Sequence, residues 1–358
     1  CVVVGGGGNV GGYIVRLLLS KGALVTSLDL VDYAADGADK VTSIIADIAK
    51  DAAAVDAALE GQHTVFHTAS IIDISPIPSP LLASVNVTGT KNVIEACRKG
   101  GVQTLIYTSS LEVVSGCDEA GNVQLIEGVE EDCPIPKRHT LPYARTKAIA
   151  EALVRGAHSS ELRTCAIRPG YVLGAGCIGI KIEIIKAIGR GNRYVSAMVP
   201  SSISCVHARN CASAHLLAAE RVDLPAVGGA AFFIRDFEAS VVPLTVKALS
   251  KTPIKPLMLP LFLAYCLAWL ADRYERLVHA LFAVFGFRRT PSADALDIAA
   301  FNMAFHNIIV SSRRACETLG YGAKDQPALV SRDECVAETA EWARDYYVRE
   351  TAKIGKKA

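Results

Sequence analysis

A short apolar run, Val2-Val3-Val4, leads directly into Gly5-Gly6-Gly7-Gly8-Asn9-Val10-Gly11, and an amphipathic stretch follows from Val10 to Lys21. Glycines at 5, 8 and 11 between a strand and a helix constrain this chain more than any other feature. Glycine permits the tight turn, lets the backbone approach a diphosphate and lets helix pack on strand, while free N–H groups at the helix start face the anion. Glycine runs also occur in flexible turns, so the motif needs a partner. Asp29 ends the next apolar run, 18 residues after Gly11. A carboxylate there accepts hydrogen bonds from the adenosine ribose hydroxyls and repels a 2′-phosphate. No Arg or Lys stands between residues 22 and 39, so NAD is the expected cofactor in preference to NADP. Asp47, behind Ile44-Ile45-Ala46, is a candidate for the adenine amino group, with a surface turn as the competing reading.

The first half of the chain alternates β-branched runs with helical patterns, as a parallel sheet with crossover helices requires. Strands are expected at Cys1 to Val4, Leu24 to Leu28, Thr64 to His67, Thr104 to Thr108 and Thr164 to Arg168; helices at Val10 to Lys21, Ala52 to Leu59, Leu81 to Lys99 and Ala144 to Ala157. The fold class is therefore α/β: a Rossmann-type, doubly wound parallel sheet with a smaller, mostly helical C-terminal part that binds substrate. The expected divisions are a core at 1–170, a mixed segment at 171–250 that completes the core and contributes to the substrate site, a substrate-binding part at 251–345 and a charged tail at 346–358.

A formal charge of +1, from 37 Lys and Arg against 36 Asp and Glu, leaves no electrostatic footprint for nucleic acid. The eleven cysteines form no CxxC pair and read as reduced, mostly buried thiols. Cys205, His207 and Cys211 are the tightest cluster, but three ligands on a strand running into a helix read as core, and no metal is expected. The chain starts at Cys1 already in an apolar strand, so a segment upstream is expected. Lys356-Lys357 sits one place too near the end for a dilysine retrieval signal.

Tyr143 and Lys147 lie four residues apart, on one face of a helix. A phenol with a pKa near 10 is a poor base at neutral pH, and a cation one turn away favours the phenolate. Y-x-x-x-K is common by chance, and its alternative is a solvated helix face. Context strengthens it: Ser110 follows an apolar strand 33 residues earlier, at the carboxyl end of the sheet, where doubly wound folds bind ligands. A strand-end serine otherwise caps the next turn.

Several motifs occur together in one order: the glycine turn, His67-Thr68-Ala69-Ser70, Asn86-Val87-Thr88-Gly89-Thr90, Tyr107-Thr108-Ser109-Ser110-Leu111-Glu112-Val113, Pro142-Tyr143 with Lys147, and Arg168-Pro169-Gly170. This order resembles the extended short-chain dehydrogenases. Thr108 to Val113 and Asn210-Cys211-Ala212-Ser213-Ala214-His215 are most similar to the 3β-hydroxysteroid dehydrogenase family, which includes sterol-4α-carboxylate 3-dehydrogenases. The resemblance extends to His306-Asn307 and Leu319-Gly320-Tyr321. It implies that Tyr143 is the acid/base, Lys147 holds the nicotinamide ribose and tunes the tyrosine, and Ser110 polarises the substrate oxygen. Gly5, Gly8, Gly11 and Asp29 would hold the adenosine diphosphate, Ala69 would pass the cofactor with its backbone, and Asn86 would brace the sheet. Asn9-Val10 and Gly170-Tyr171 depart from the family's usual residues and leave the subfamily open.

Pro256 to Ala271 is 16 residues without a charge, and Leu277 to Phe287 adds eleven after Asp272 to Arg276. At about 1.5 Å per residue the first run reaches roughly 24 Å, short of a hydrocarbon core of roughly 30 Å. Attachment to one membrane face, with the segment also walling a greasy pocket, is expected ahead of a buried helix or a true span. The family implies the cytoplasmic face of the endoplasmic reticulum membrane, with a cytoplasmic location as the alternative. It also implies a sterol or steroid substrate; a homodimer is allowed.

The expected reaction is NAD-dependent oxidation of a sterol 3β-hydroxyl. The expected substrate is a 4α-carboxysterol, whose 3-keto product would lose CO2; Lys137, Arg138 and His139 are the nearest candidates to receive the carboxylate, with a solvated loop as the competing reading. Alternatives are a 3β-hydroxysteroid dehydrogenase that also isomerises the double bond, a nucleotide-sugar epimerase or reductase, and a non-catalytic NAD(H) sensor.

Overall fold

The computed structural model describes residues 1–73, 79–117, 124, 126–139, 141–199, 201–284, 307–323 and 329–355. Seven parallel strands form the main sheet: β1 Val2–Val4, β2 Val25–Asp29, β3 Val41–Ile45, β4 Thr64–His67, β5 Thr104–Thr108, β7 Arg163–Pro169 and β11 Ala231–Ile234. Their order, β11-β7-β5-β4-β1-β2-β3, reverses direction of travel between β1 and β4. A doubly wound sheet opens a crevice there, beyond the carboxyl ends of its strands. Residues of β1, β4 and β5 are buried throughout, as expected of strands covered on both faces.

Helices α1 (Asn9–Ser20) and α7 (Ala208–Arg221) cover one face, with Ile14, Val15, Leu216 and Leu217 in a common apolar cluster. The other face is covered by α2 (Ala52–Leu59), α4 (Thr90–Lys99) and α5 (Pro142–Gly156), where Val55, Leu59, Val93 and Val154 pack against Leu105 and Val65.

The helix expected over Leu81 to Lys99 is interrupted. A short α3 (Leu81–Ala83) passes into a π-helical stretch, Ser84–Gly89, before α4 begins. The widened turn carries Asn86, whose Oδ1 accepts the Ile71 N–H at 2.8 Å and whose Nδ2 donates to Ile71 O and Thr146 Oγ1 at 3.0 Å each. Insertions of this kind recur where a helix must present a side chain to a functional site. Helix α5 starts two residues earlier than expected, with Pro142 in its first turn, where the missing N–H costs nothing.

Beyond residue 170, β8 (Tyr171–Leu173), β10 (Ile203–His207), β12 (Phe237–Ala239) and β14 (Ile308–Val310) join β6 (Ile126–Val129) in a second sheet. Strands β9 (Arg193–Ser196) and β13 (Lys255–Met258) form a separate parallel pair. A third apolar cluster draws on these strands and on α6 (Ile178–Gly189), α8 (Val241–Ala248) and α10 (Arg332–Gly355).

Helix α9 (Leu261–Val284) buries only a narrow stripe, including Ala264, Ala268, Asp272 and Glu275. Its outer flank is apolar: Phe262 is 81% exposed, and Trp269, Leu270, Tyr274, Leu277 and Leu281 are exposed too. No described helix is long and apolar enough to cross a membrane. Phe285 to Phe287, His306 and Lys356-Lys357 lie outside the described residues.

Candidate active site

A cavity of about 490 Å³ lies at the carboxyl edge of the main sheet, lined from the glycine turn at one end to Ile203 at the other. That volume is within the range of small-molecule sites. The glycines of the turn are required by close packing. Gly5 has φ +88°, and a Cβ there would stand 2.6 Å from Ala69 N; one at Gly11 would stand 2.0 Å from Gly5 O. At Gly8 the nearest approach is 3.1 Å, again to Gly5 O, and Gly6, which sequence reasoning passed over, would meet Ser27 Oγ at 2.3 Å. Ala69 joins the turn through its backbone, its N–H donating to Val4 O at 2.9 Å. Asp29 Oδ2 accepts the Gly7 N–H at 2.9 Å and Oδ1 accepts the Leu30 N–H at 2.6 Å, which fixes the carboxylate in the cavity wall.

Asp47 also lies in that wall, but its carboxylate is engaged locally by Lys50 Nζ at 2.6 Å and the Ala49 N–H at 2.9 Å. Both bonds, Lys50 first, hold its pKa below the usual carboxylate range. The turn and the cavity wall therefore coincide at this residue.

At the far end Ser110 and Tyr143, both buried, face each other from the end of β5 and the first turn of α5. Burial pushes the Tyr143 phenol well above its ordinary value; a hydrogen bond from the Ser110 hydroxyl pulls it down, and the charge of Glu112 pushes it up. Ser110 also caps the turn that follows, its Oγ accepting the Glu112 N–H at 3.2 Å. The cap reading of a strand-end serine is met, and the same residue lines the cavity beside Tyr143.

Lys147 is buried one turn along α5, but its Nζ is directed to the Thr108 carbonyl at 2.5 Å and lies 4.4 Å from the Tyr107 ring centroid. Lys147 thus sits at the end of β5, one helical turn along α5 from Tyr143. Burial lowers the Lys147 pKa to about 7, against the opposing charge of Glu151.

Two buried carboxyl groups next to the site went unassigned in the sequence. Glu151 accepts Arg168 Nε at 2.9 Å, Arg168 Nη2 at 2.6 Å and Ser109 Oγ at 2.6 Å, tying α5 to both β7 and β5. Burial raises its pKa, and Arg168 and Ser109 outweigh that to bring it below the ordinary value. Glu112 is a buried carboxyl in the cavity wall. Its signal was a single charge inside Leu111-Glu112-Val113-Val114, an otherwise apolar run.

Other candidates take structural places. Among the described residues no group of three or more His, Cys, Asp or Glu is placed to hold a metal; His207 Nε2 instead meets Glu338 Oε2 at 3.1 Å. Lys137 and Arg138 are exposed, and His139 Nε2 meets Val113 O at 3.1 Å; none of the three lines the cavity. Among the described residues, none of those lining it comes from 251–345 either.

Residues 2–253 match the 3-beta hydroxysteroid dehydrogenase/isomerase family. The chain is 32% identical over 368 residues to mouse 3 beta-hydroxysteroid dehydrogenase type 7, across 96% of this chain and 95% of that one. It is 34% identical over 249 residues to bovine sterol-4-alpha-carboxylate 3-dehydrogenase, decarboxylating, across 66% and 65%. A solved structure of Thermus thermophilus UDP-glucose 4-epimerase in complex with NAD superposes with a TM-score of 0.65 at 21% identity, covering 96% of this chain and 98% of that one. At that identity the likeness establishes the fold.

Proposed function

The chain belongs to the 3-beta hydroxysteroid dehydrogenase/isomerase family, and on that premise we propose that it oxidises the 3β-hydroxyl of an uncharged sterol or steroid with NAD. The observation that carries the proposal is the composition of the cavity beside Ser110 and Tyr143. Ile71, Ile72, Leu111, Ile178, Ile182 and Ile203 line it there. Such walls suit a fused hydrocarbon ring system and offer little to a sugar nucleotide.

The other end fits NAD. The turn has no room for side chains at Gly5, Gly6 and Gly11, and Asp29 is held in place for ribose hydroxyls. NAD+ bound there supplies the hydride acceptor. The chain's own residues handle the proton and the orientation. The Ser110 hydroxyl and the Tyr143 phenolate hold the substrate oxygen from two sides, and the phenolate takes its proton, becoming the phenol, as the carbonyl forms. The Ser110 hydrogen bond favours the phenolate that burial opposes. Glu151, paired with Arg168, fixes the helix that carries Tyr143. Likeness to the family supports Lys147, whose Nζ lies at the end of β5, as the group that would hold the ribose hydroxyls.

A 4-carboxysterol is the second reading, favoured by likeness to the bovine enzyme. A carboxylate in an apolar cavity needs a cation. The described residues lining this one include Asp29, Asp47 and Glu112 and no Lys or Arg, which supports the uncharged substrate. NADH formation with a neutral 3β-hydroxysteroid, a 4α-carboxysterol and a UDP-sugar tests the proposal. Turnover of the first, lost by at least about 1000-fold in Tyr143→Phe with NAD binding kept, is expected. Oxidation of the carboxysterol alone, with CO2 release, would overturn the uncharged-substrate reading; NAD binding without turnover of any would favour a sensor.

The exposed apolar flank of α9 supports an extension of the proposal: this helix lies on a membrane surface, from which a lipid-soluble substrate is drawn.

A further inference from the structure

Among the described residues, helix α10 contributes none to the cavity wall, yet two adjacent side chains on it, Glu338 and Thr339, hold the loop that joins two lining segments. That loop, Gly174 to Cys177, runs from β8, where Tyr171 and Val172 line the cavity, to α6, where Ile178, Gly179 and Ile182 do. Thr339 Oγ1 accepts the Gly174 N–H at 2.9 Å, and Glu338 Oε1 accepts the Ala175 N–H at 3.1 Å. Glycine is required at 174: its φ is +106°, and a Cβ would stand 2.7 Å from His207 Nε2. Gly176, at φ +89°, brings the loop against the cofactor turn, where a Cβ would lie 3.5 Å from Asn9 Cβ.

The same carboxylate reaches the cofactor end. Its Oε1 also accepts the Tyr13 hydroxyl, and Tyr13 stands on α1 one turn past Asn9. Its Oε2 meets His207 Nε2 at 3.1 Å. His207 Nδ1 accepts the Arg209 N–H at 3.1 Å at the start of α7, so in the neutral ring the proton is on Nε2 and is donated to Glu338. Burial raises the Glu338 pKa, and hydrogen bonds from His207, Tyr13 and Ala175 outweigh it, so the group is a carboxylate with three donors. Bonds to a charged acceptor are about twice as strong as neutral ones, and three of them from separate elements fix geometry.

We propose that Glu338 is a positioning residue for the oxidation: through Tyr13 it sets the helix that carries the cofactor turn, and with Thr339 it sets the loop that carries the substrate wall. The inference rests on the steroid reading above. Hydride transfer needs the nicotinamide and the steroid carbon held close and aligned, and a small misplacement of either wall slows it. One group bonded to both walls fixes their separation. Neither Glu338 nor Thr339 lines the cavity, so both act through these bonds and not by touching NAD or steroid.

The test measures KM for NAD and for a neutral 3β-hydroxysteroid in the full chain, at a temperature where circular dichroism shows each variant folded. Tyr13→Phe, which removes the bond to α1 alone, is expected to raise KM for NAD by about 10-fold and to leave the steroid KM within about twofold. Thr339→Val, which removes a bond to the loop alone, should do the reverse, and Thr339→Ser should restore the steroid KM. Glu338→Ala should raise both by about 10-fold or more and lower kcat as well. If Glu338→Ala does not fold, the single-bond variants decide alone. Single-bond variants that shift both KM values equally or not at all, or a folded Glu338→Ala with wild-type constants, overturn the inference and leave the steroid reading standing. Wild-type protein that binds NADH and oxidises no 3β-hydroxysteroid removes the steroid reading, and the inference with it.

Discussion

The Lys147 ammonium donates to the backbone carbonyl of Thr108 at 2.5 Å, at the end of the strand that leads into Ser110. Burial there lowers its pKa to about 7, against about 10.4 in an unfolded chain. Between those values the folded state binds fewer protons than the unfolded one, so this group makes stability rise with pH across that window, by up to about 1.4 kcal/mol per unit. Lys147→Met removes the term. Urea unfolding at pH 7.5 and 9.5 should show the wild type gaining more from the higher pH than the variant; parallel behaviour would refute this.

Asp29 holds two backbone N–H groups, from Gly7 and Leu30, and the proposal gives it the ribose hydroxyls as well. Asp29→Ala should weaken NADH binding by about 10- to 100-fold, the scale of one or two hydrogen bonds to a charged group. It should also narrow the preference over NADPH, since the repelling charge is gone. Fluorescence titration with both cofactors measures this, and unaltered affinities would remove Asp29 from the site.

Gly11 and Gly156 make a matched pair. A Cβ at Gly11 meets Gly5 O at 2.0 Å and Gly5 C at 2.8 Å, both backbone atoms that cannot swing aside, whereas one at Gly156 meets nothing within 4 Å. Gly11→Ala should lose roughly 2–4 kcal/mol of stability and its cofactor binding. Gly156→Ala should gain about 0.4–1 kcal/mol by restricting the unfolded chain. Thermal melts of both variants decide the matter, and a neutral Gly11→Ala would mean that the turn is not as close-packed as described.

The flank of α9 offers Phe262, Leu270 and Leu277 to the surroundings, at 81%, 56% and 60% exposure. If it lies on a membrane, Phe262→Asp with Leu270→Asp should reduce co-sedimentation with phospholipid vesicles by about 10-fold or more, since each loses burial of a large side chain. Oxidation of a detergent-solubilised steroid should survive better than binding. Equal sedimentation of variant and wild type would exclude this surface.

Local pattern made much of this site legible. The glycine spacing, the aspartate after the second strand and the Tyr143, Lys147 pair each announce themselves within short windows, because turn geometry and helix periodicity act over a few residues. The alternation of apolar runs and helices was legible up to residue 170 for the same reason, apart from β3, Val41–Ile45, which was not among the expected strands. The helix over Leu81 to Lys99 was read as unbroken because its π-helical turn answers to Ile71 and Thr146, which no local window contains.

By itself the sequence determined the class of sheet, the cofactor end of the crevice and which side chains could carry the proton. Tertiary structure alone decided how they meet: Lys147 hydrogen-bonded to the Thr108 carbonyl, Glu151 locked to Arg168, and Glu112 buried in the cavity wall with one oxygen unpartnered. The physical reason is that burial sets the state of such groups. A carboxyl group's protonation depends on the dielectric and the partners around it, and those come from β5, β7 and α5 assembled in space.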